Sequence, residues 1–426
     1  MTVTAATQRA SRPHPLVVLL RVAVAMLLVV VVALGVAVLL APTPAVEATP
    51  VEAAVEPLPE PAIDWPPAAR AAGYGVVGID GAPDSWATTG SDDAHPMASV
   101  TKLVTVLIVL DARPLTGDDR GPTITLDGDD VAAQARALDD NAPIAPVFRG
   151  MQVTQRDLIE WSLVDSAANA IWSLANWAYG DIDGFLAAAD AWAERHGLDD
   201  TNLDDPAGLA AGSVSSAADL TRIALMAVED PVVLATIQLE SVRIPGIGIA
   251  PNTNRILGEH DVDGGKTGTL KVWGRNLFVT AIREVEGVER RVVGIVMGTI
   301  AAEETDAAMI QLLQSVWPNF GVRAILAEGT VVAEYRAPWG ASTDAVTTGA
   351  LEAHVFADAA PGWTATAEPI EAGTPASAVG EARLEVGDVA APVRTTELLL
   401  GPDAWWRVTN APQVLGWYWD RSAPAG

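Results

Sequence analysis

The stretch HPMASVTKLVTVLIVLD, residues 95–111, decides how the chain is read. From Ala98 to Leu110 it is apolar, small or β-branched, with a single lysine, Lys102, inside it. Apolar residues all round a helix mark it as buried rather than amphipathic. An ammonium in such a place costs several kcal/mol unless it is paired or gives up its proton. Pro96 disfavours helix just upstream, so Ser99 lies near the helix start. One turn separates Ser99 from Lys102, and the two share a face. A hydroxyl at the positive end of a helix with an amine above it is the layout of a nucleophile and its base, provided the amine is neutral. Alone, the same spacing also fits an N-cap serine with a snorkelling lysine.

Working outward, a second feature is VDGGKTGTL, residues 262–270, immediately before the strand-like NLFVTAIREV, 276–285. Gly264, Gly265 and Gly268 allow close backbone approach. Lys266, Thr267 and Thr269 offer a cation and two hydroxyls along an extended segment, a set suited to a carboxylate. Lys266 is also a second cation whose repulsion would help to lower the pKa of Lys102. A third feature is LVDSAANAIW, 163–172, where Ser166 and Asn169 interrupt an apolar helical run. Each of these segments also reads, in isolation, as a glycine-rich turn or a helix kink.

The rest of the chain sets the frame. Its 426 residues suit two or three domains, and half of them are hydrophobic. There is no cysteine, which excludes disulfides and thiolate chemistry. A net charge of −28 argues against nucleic acid as a partner. The five histidines form no metal-ligand pattern, so neither metal nor cofactor is expected. Residues 1–21 carry Arg9, Arg12 and Arg21, and Val22 to Ala41 is uncharged and long enough to span a bilayer. Basic residues before the run and acids after it put residues 1–21 in the cytoplasm, 22–41 across the membrane as a signal anchor, and the remainder outside. A small-x-small site around Ala45 to Ala48 leaves secretion after signal cleavage as the alternative. Residues 42–68, rich in Pro, Ala and Glu, read as an extended linker lifting the next domain off the membrane. From 69 to 322 strands and helices mix, with helices predicted at 99–110, 154–178, 181–196 and 216–228, which implies an α/β or α+β domain. From 325 to 426 short alternating segments separated by Gly and Pro predict a small all-β domain. Trp405, Trp406, Trp417 and Trp419 there are read as core in preference to a docking surface.

Taken together, the order Ser-x-x-Lys at a helix start, Ser and Asn on a helix, and Lys-Thr-Gly before a strand resembles that of the penicillin-binding serine acyl-transferases. Within them the chain resembles the low-molecular-mass D-alanyl-D-alanine carboxypeptidases. PMASVTKLVT, HGLDDTNLDDPAGL (196–209), SSAADLTRIALMA (215–227) and NTNRILGEHDVDGGKTGTL (252–270) carry the likeness, which spans about 66–322. It implies a β-lactamase/transpeptidase-like domain, an antiparallel sheet flanked by helices. One departure stands out: the usual Ser-x-Asn of the middle motif is Ser166-Ala167-Ala168-Asn169 here, with the asparagine one place late.

The resemblance further implies the chemistry. The substrate would be a peptidoglycan stem peptide ending in D-Ala-D-Ala, with β-lactams as covalent inhibitors and a role in cell-wall synthesis and cell shape. Ser99 would attack, Lys102 would take its proton, and Ser166 would relay a proton to the leaving amine. Asn169, Lys266, Thr267, Gly268 and Thr269 would bind substrate, with backbone N–H groups of Ser99 and Thr269 as the oxyanion hole. His95 is read as structural. Two rivals remain. A β-lactamase would need a deacylating glutamate, which LDDTNLDDPAGLAAG lacks. A non-catalytic cell-wall-binding or regulatory homologue would fit the displaced asparagine.

Overall fold

The structure is a computed structural model that describes residues 14–53, 58–78, 84–357, 359, 361–385 and 388–420. The chain divides into two compact units. The larger comprises residues 57–323 and 353–361, and the smaller comprises 1–56, 324–352 and 362–426.

The larger unit is built on a five-stranded antiparallel sheet in the order Val262–Leu270, Gly274–Val285, Val288–Thr299, Ala71–Val76, Ser85–Gly90. The sheet is apolar on both faces because helices cover both. Along Val288–Thr299, Val293, Ile295 and Met297 join one core with Leu220 and Ile223 of the helix Ala217–Glu229. The alternate residues Val292 and Val296 join a second core with Met309, Leu312 and Val316 of the helix Ala302–Val316. This is the period of two that a pleated strand imposes. Val262–Leu270 is an edge strand, with one side paired to Gly274–Val285 and the other side available.

The opening stretch becomes a short 3₁₀ turn, Ala98–Val100, running into helix α2, Thr101–Ala112. Every residue of α2 from Thr101 to Leu110 is buried, as its all-round apolarity predicts. Around it lie α3 (Gly128–Asp139), α4 (Gln155–Leu163) and α5 (Ala168–Tyr179). The single helix expected over 154–178 is in fact two. The chain breaks at Val164 to Ala167, and Ser166 sits in the break with φ +66°.

The smaller unit holds a six-stranded antiparallel sheet, in keeping with the strand pattern of the C-terminal region. It also ends in two helices, Ala404–Thr409 and Ala411–Asp420, which the alternation does not announce. Trp417 is buried, Trp406 is half-buried and stacks on it at 5.9 Å, and Trp405 is 76% exposed. The side chain of Trp419 lies outside the described residues. The apolar N-terminal segment is a helix, α1, Pro15–Leu39, exposed along most of its length and long enough to cross a membrane.

Residues 42–68 are not the free linker that their composition suggests. Ala48–Pro50 pairs with Val331–Arg336 as the outermost strand of the six-stranded sheet. Val46 bridges Ile370. Proline lacks a donor, but an edge strand has a side on which none is needed. Farther on, within the larger unit, Ile63 and Trp65 pack on the sheet core, and Ala62 N–H donates to Asn319 Oδ1 at 2.8 Å. Proline forbids helix in this segment without preventing it from docking.

Candidate active site

Three segments converge on one cleft of about 490 Å³, lined by Ser99, Ser166, Thr253, Thr267, Gly268 and Thr269, with Asp140 to Pro143 along one rim. Each functional side chain is aimed by the element that carries it. Ala98, directly before Ser99, adopts φ +50°, a conformation unusual for a side-chain-bearing residue. The 3₁₀ turn behind it lies against the edge strand. A Cβ on Gly268 would come within 2.8 Å of Met97 O and 3.1 Å of Ser99 N, so only glycine allows this approach.

Lys102 answers the question its position poses. Its Nζ is 2.8 Å from Ser99 Oγ and donates to Ala207 O at 2.9 Å. The side chain is fully buried. Burial lowers its pKa to about 7, against the opposing pull of Asp205. It is therefore a base near neutral pH, with a hydroxyl in proton-transfer range. The LDDPAGL segment, 203–209, receives it. Asp205 Oδ1 and Oδ2 accept from Ala207 and Ala210 N–H, both at 2.7 Å, fixing the loop that presents the Ala207 carbonyl. Gly208, at φ +72°, has no room for a Cβ, which would lie 1.9 Å from Ala98 O. Asp205 and Ala207 escape sequence reading because one acts through loop geometry and the other through its backbone.

On the other wall, Lys266 Nζ donates to Ser166 Oγ at 2.9 Å and to Thr267 O at 3.1 Å. Lys266 is fully buried. Its pKa falls well below the usual lysine value, first through burial and then through the Lys102 charge, with Asp165 opposing. Repulsion between the two amines, expected from the sequence to depress Lys102, bears instead on Lys266, and burial suffices for Lys102. Thr267 Oγ1 donates to Thr253 Oγ1 at 2.7 Å, tying the strand to the neighbouring loop. Thr269 is exposed in the cleft. His95 stacks on Trp273, ring centroids 4.4 Å apart, and lines no part of the cleft.

Asn169 is the correction. It does not line the cleft. It is fully buried on α5, and its carboxamide is committed to one backbone residue: Oδ1 accepts from Ala145 N–H at 2.9 Å and Nδ2 donates to Ala145 O at 2.7 Å. On a helix, one residue of displacement turns a side chain by about 100°. The two bonds to Ala145 hold Asn169 away from the cleft. Ala168 N–H in turn donates to Pro143 O at 2.8 Å. The middle motif thus contributes Ser166 to the cleft and commits its asparagine to the loop that forms the rim.

Comparisons with known proteins point to one family. A family model described as D-alanyl-D-alanine carboxypeptidase matches residues 87–301. The D-alanyl-D-alanine carboxypeptidase DacD of Salmonella typhimurium is 29% identical over 306 residues, covering 70% of this chain and 73% of that protein. DacD of Escherichia coli is 31% identical over 250 residues, covering 57% of this chain and 62% of the relative. Among solved structures, penicillin binding protein 5 from Haemophilus influenzae superposes with a TM-score of 0.55 at 21% identity, over 80% of this chain and 99% of that one. Penicillin binding protein 6B from Escherichia coli gives 0.54 at 24% identity, over 80% and 100%. By sequence and by fold, the chain belongs to the D-alanyl-D-alanine carboxypeptidase family of serine peptidases.

Proposed function

We propose that this chain removes the terminal D-alanine from peptidoglycan stem peptides ending in D-Ala-D-Ala, through an acyl-enzyme on Ser99, at the outer face of a membrane. The observation that carries the mechanism is the buried, readily neutral Lys102 at 2.8 Å from the Ser99 hydroxyl. Lys102 Nζ takes the proton as Ser99 Oγ attacks the carbonyl of the penultimate residue. Backbone N–H groups of Ser99 and Thr269 receive the oxyanion. Ser166, bridged to Lys266, passes a proton to the departing amine, and water then frees the acyl group.

Lys266, Thr267 and Thr269 bind the substrate's terminal carboxylate. A carboxylate entering beside Lys266 supplies the opposite charge that a buried ammonium needs, so substrate binding favours the protonated form of Lys266. β-Lactams would acylate the same serine. The intact Ser99–Lys102 pair argues against the non-catalytic reading, and LDDTNLDDPAGLAAG lacks the glutamate that a β-lactamase would need.

Retention of α1 as a membrane anchor is the localisation we favour over secretion. Support comes from contacts within the smaller unit. Arg407 Nη1 donates to Ala41 O at 2.6 Å and Tyr418 Oη to Ala37 O at 3.0 Å. Ala37 lies in the last turn of α1, whose carbonyls lack helical partners, and Ala41 lies two residues past its end. Val38 and Ala41 pack with Trp417 and Val414. Cleavage near Ala45 to Ala48 would strip this cluster of a packed element.

The experiment is direct. Incubating the protein with a peptide ending in D-Ala-D-Ala should release D-alanine, and penicillin should add its mass to the peptide containing Ser99. Absence of both would overturn the reading.

A further inference from the structure

The rim of the cleft opposite the edge strand contains one carboxamide, that of Asn141. A peptide laid along the free edge of Val262–Leu270 pairs one of its sides with strand backbone. Its other side carries N–H and C=O groups that must face the opposite wall or lose water without replacement. On that wall Ser166 is already bonded to Lys266, Ala142, Pro143 and Leu209 have no polar side-chain atom, and the Asp140 carboxylate only accepts. Asn141 offers both a donor and an acceptor there. Its side chain makes no hydrogen bond among the described residues.

Its backbone is fixed. Asn141 ends α3 in a left-handed conformation, φ +54°. Its N–H donates to Leu138 O at 3.0 Å, and Ala142 N–H donates to Ala137 O at 2.9 Å. These are the paired bonds of a Schellman cap, in which glycine is the favoured residue and asparagine the next. An asparagine here accepts a backbone penalty that glycine would avoid, and in return places a carboxamide on the cleft. The residues after it are clamped by α5: Asn169 grips Ala145 at both backbone atoms, and Ala168 N–H holds Pro143 O. The loop bearing Asn141 is therefore held at both ends.

We propose that the Asn141 carboxamide binds the acyl-amide group on the nitrogen of the substrate residue whose carbonyl Ser99 attacks, and that Asn169 acts as the positioning residue for the loop that presents it. This rests on the acyl-enzyme reading given above. It makes Asn141 a specificity residue for N-acylated substrates, supplied from a loop in a chain whose Ser166-Ala167-Ala168 segment provides no such amide.

The test uses two probes that differ only at that group. Benzylpenicillin carries an acyl-amide, and 6-aminopenicillanic acid has a free amine in its place. Asn141→Gly preserves or improves the cap while deleting the carboxamide. Its second-order acylation by benzylpenicillin should fall about tenfold or more. Its acylation by 6-aminopenicillanic acid should stay within about twofold, and its Tm should be unchanged or higher. Asn141→Asp, which keeps an acceptor and loses the donor, should fall between on benzylpenicillin alone. Equal rates for wild type and Asn141→Gly on both probes would overturn the inference, as would a parallel loss on both. If the wild-type protein formed no adduct at Ser99 with either probe, the acyl-enzyme reading would fail, and this inference with it.

Discussion

The two walls of the cleft teach different lessons. On one wall, Ser99 and Lys102 sit one helical turn apart and meet as their spacing demands, Nζ 2.8 Å from Oγ. On the other, Ser166 and Asn169 are also three residues apart, yet one faces the cleft and the other faces away into the protein. The difference lies in the backbone. Ser99 runs from a 3₁₀ turn directly into α2, so the helical period holds across the pair. Ser166 stands at φ +66° between α4 and α5, so no period links it to Asn169. Spacing carries chemistry only where one regular element carries both residues.

The sharpest way to break this comparison is at Lys102. Lys102→Met, close in volume, should leave the fold intact and reduce acylation of Ser99 by at least about a thousandfold, the loss expected for a general base. Lys102→Arg should fail as badly, because a guanidinium stays protonated. Labelling with a fluorescent penicillin reads both. Normal labelling of the arginine variant would exclude this lysine as the proton acceptor.

The opposite wall predicts a smaller, mixed effect. Asn169→Ala leaves Ala145 N–H and C=O buried without partners, at a cost of about 1–3 kcal/mol. The Tm should fall accordingly. Acylation by benzylpenicillin should drop about fivefold to tenfold as the Pro143 to Ala145 loop slackens. Restoring a Ser-x-Asn spelling with Ala168→Asn and Asn169→Asp should do worse. A carboxylate would then face the Ala145 carbonyl, and a new side chain would enter a fully buried position. A thermal shift that matches wild type would show that the Asn169 clamp contributes little.

Legibility in the sequence divides along the same line. The buried helix with its lysine, the extended Lys-Thr-Gly segment and the strand after it are each legible because one unbroken element carries the pattern. The Asp205 loop that receives Lys102, the rim asparagine at 141 and the break at 164–167 depend on turn geometry. In each, a left-handed residue or an unpaired backbone group sets direction, and no sequence period records that. The segment 42–68 misleads for a related reason: proline content excludes helix, but only tertiary structure shows that Ala48–Pro50 is an edge strand.

Stability adds a pH-dependent contrast between wild type and Lys102→Met. The folded-state pKa of Lys102, about 7, lies below the unfolded value of about 10.4. Between those values the unfolded chain binds more protons, so stability rises with pH. The burden of the charged lysine is greatest below pH 7, on the order of 4–5 kcal/mol. Lys102→Met should therefore melt higher than wild type near pH 6, and the gap should shrink as pH approaches 10. A gap that is constant with pH would mean that Lys102 does not titrate in this range.

The smallest expected effect is the most discriminating, because it concerns which amine holds the proton. Two buried ammonium groups facing one cleft repel each other, and the less well compensated one loses its proton first. Lys266 is that group: burial and the Lys102 charge both act on it, and Asp165 only partly offsets them. In the free enzyme Lys102, at about 7, is the group whose titration falls near neutral pH. The acidic limb of the kcat/KM profile reports the free enzyme, so it should rise through about pH 7 and level off above it. Burial, not Lys266, sets the Lys102 shift, so Lys266→Ala leaves its cause in place. It should lower the rate by weakening carboxylate capture, yet leave the midpoint of the limb within about half a unit. If the midpoint instead moved upward by a full unit, Lys266 would carry a charge in the free enzyme, and Lys102 would owe its basicity range to repulsion as well as to burial.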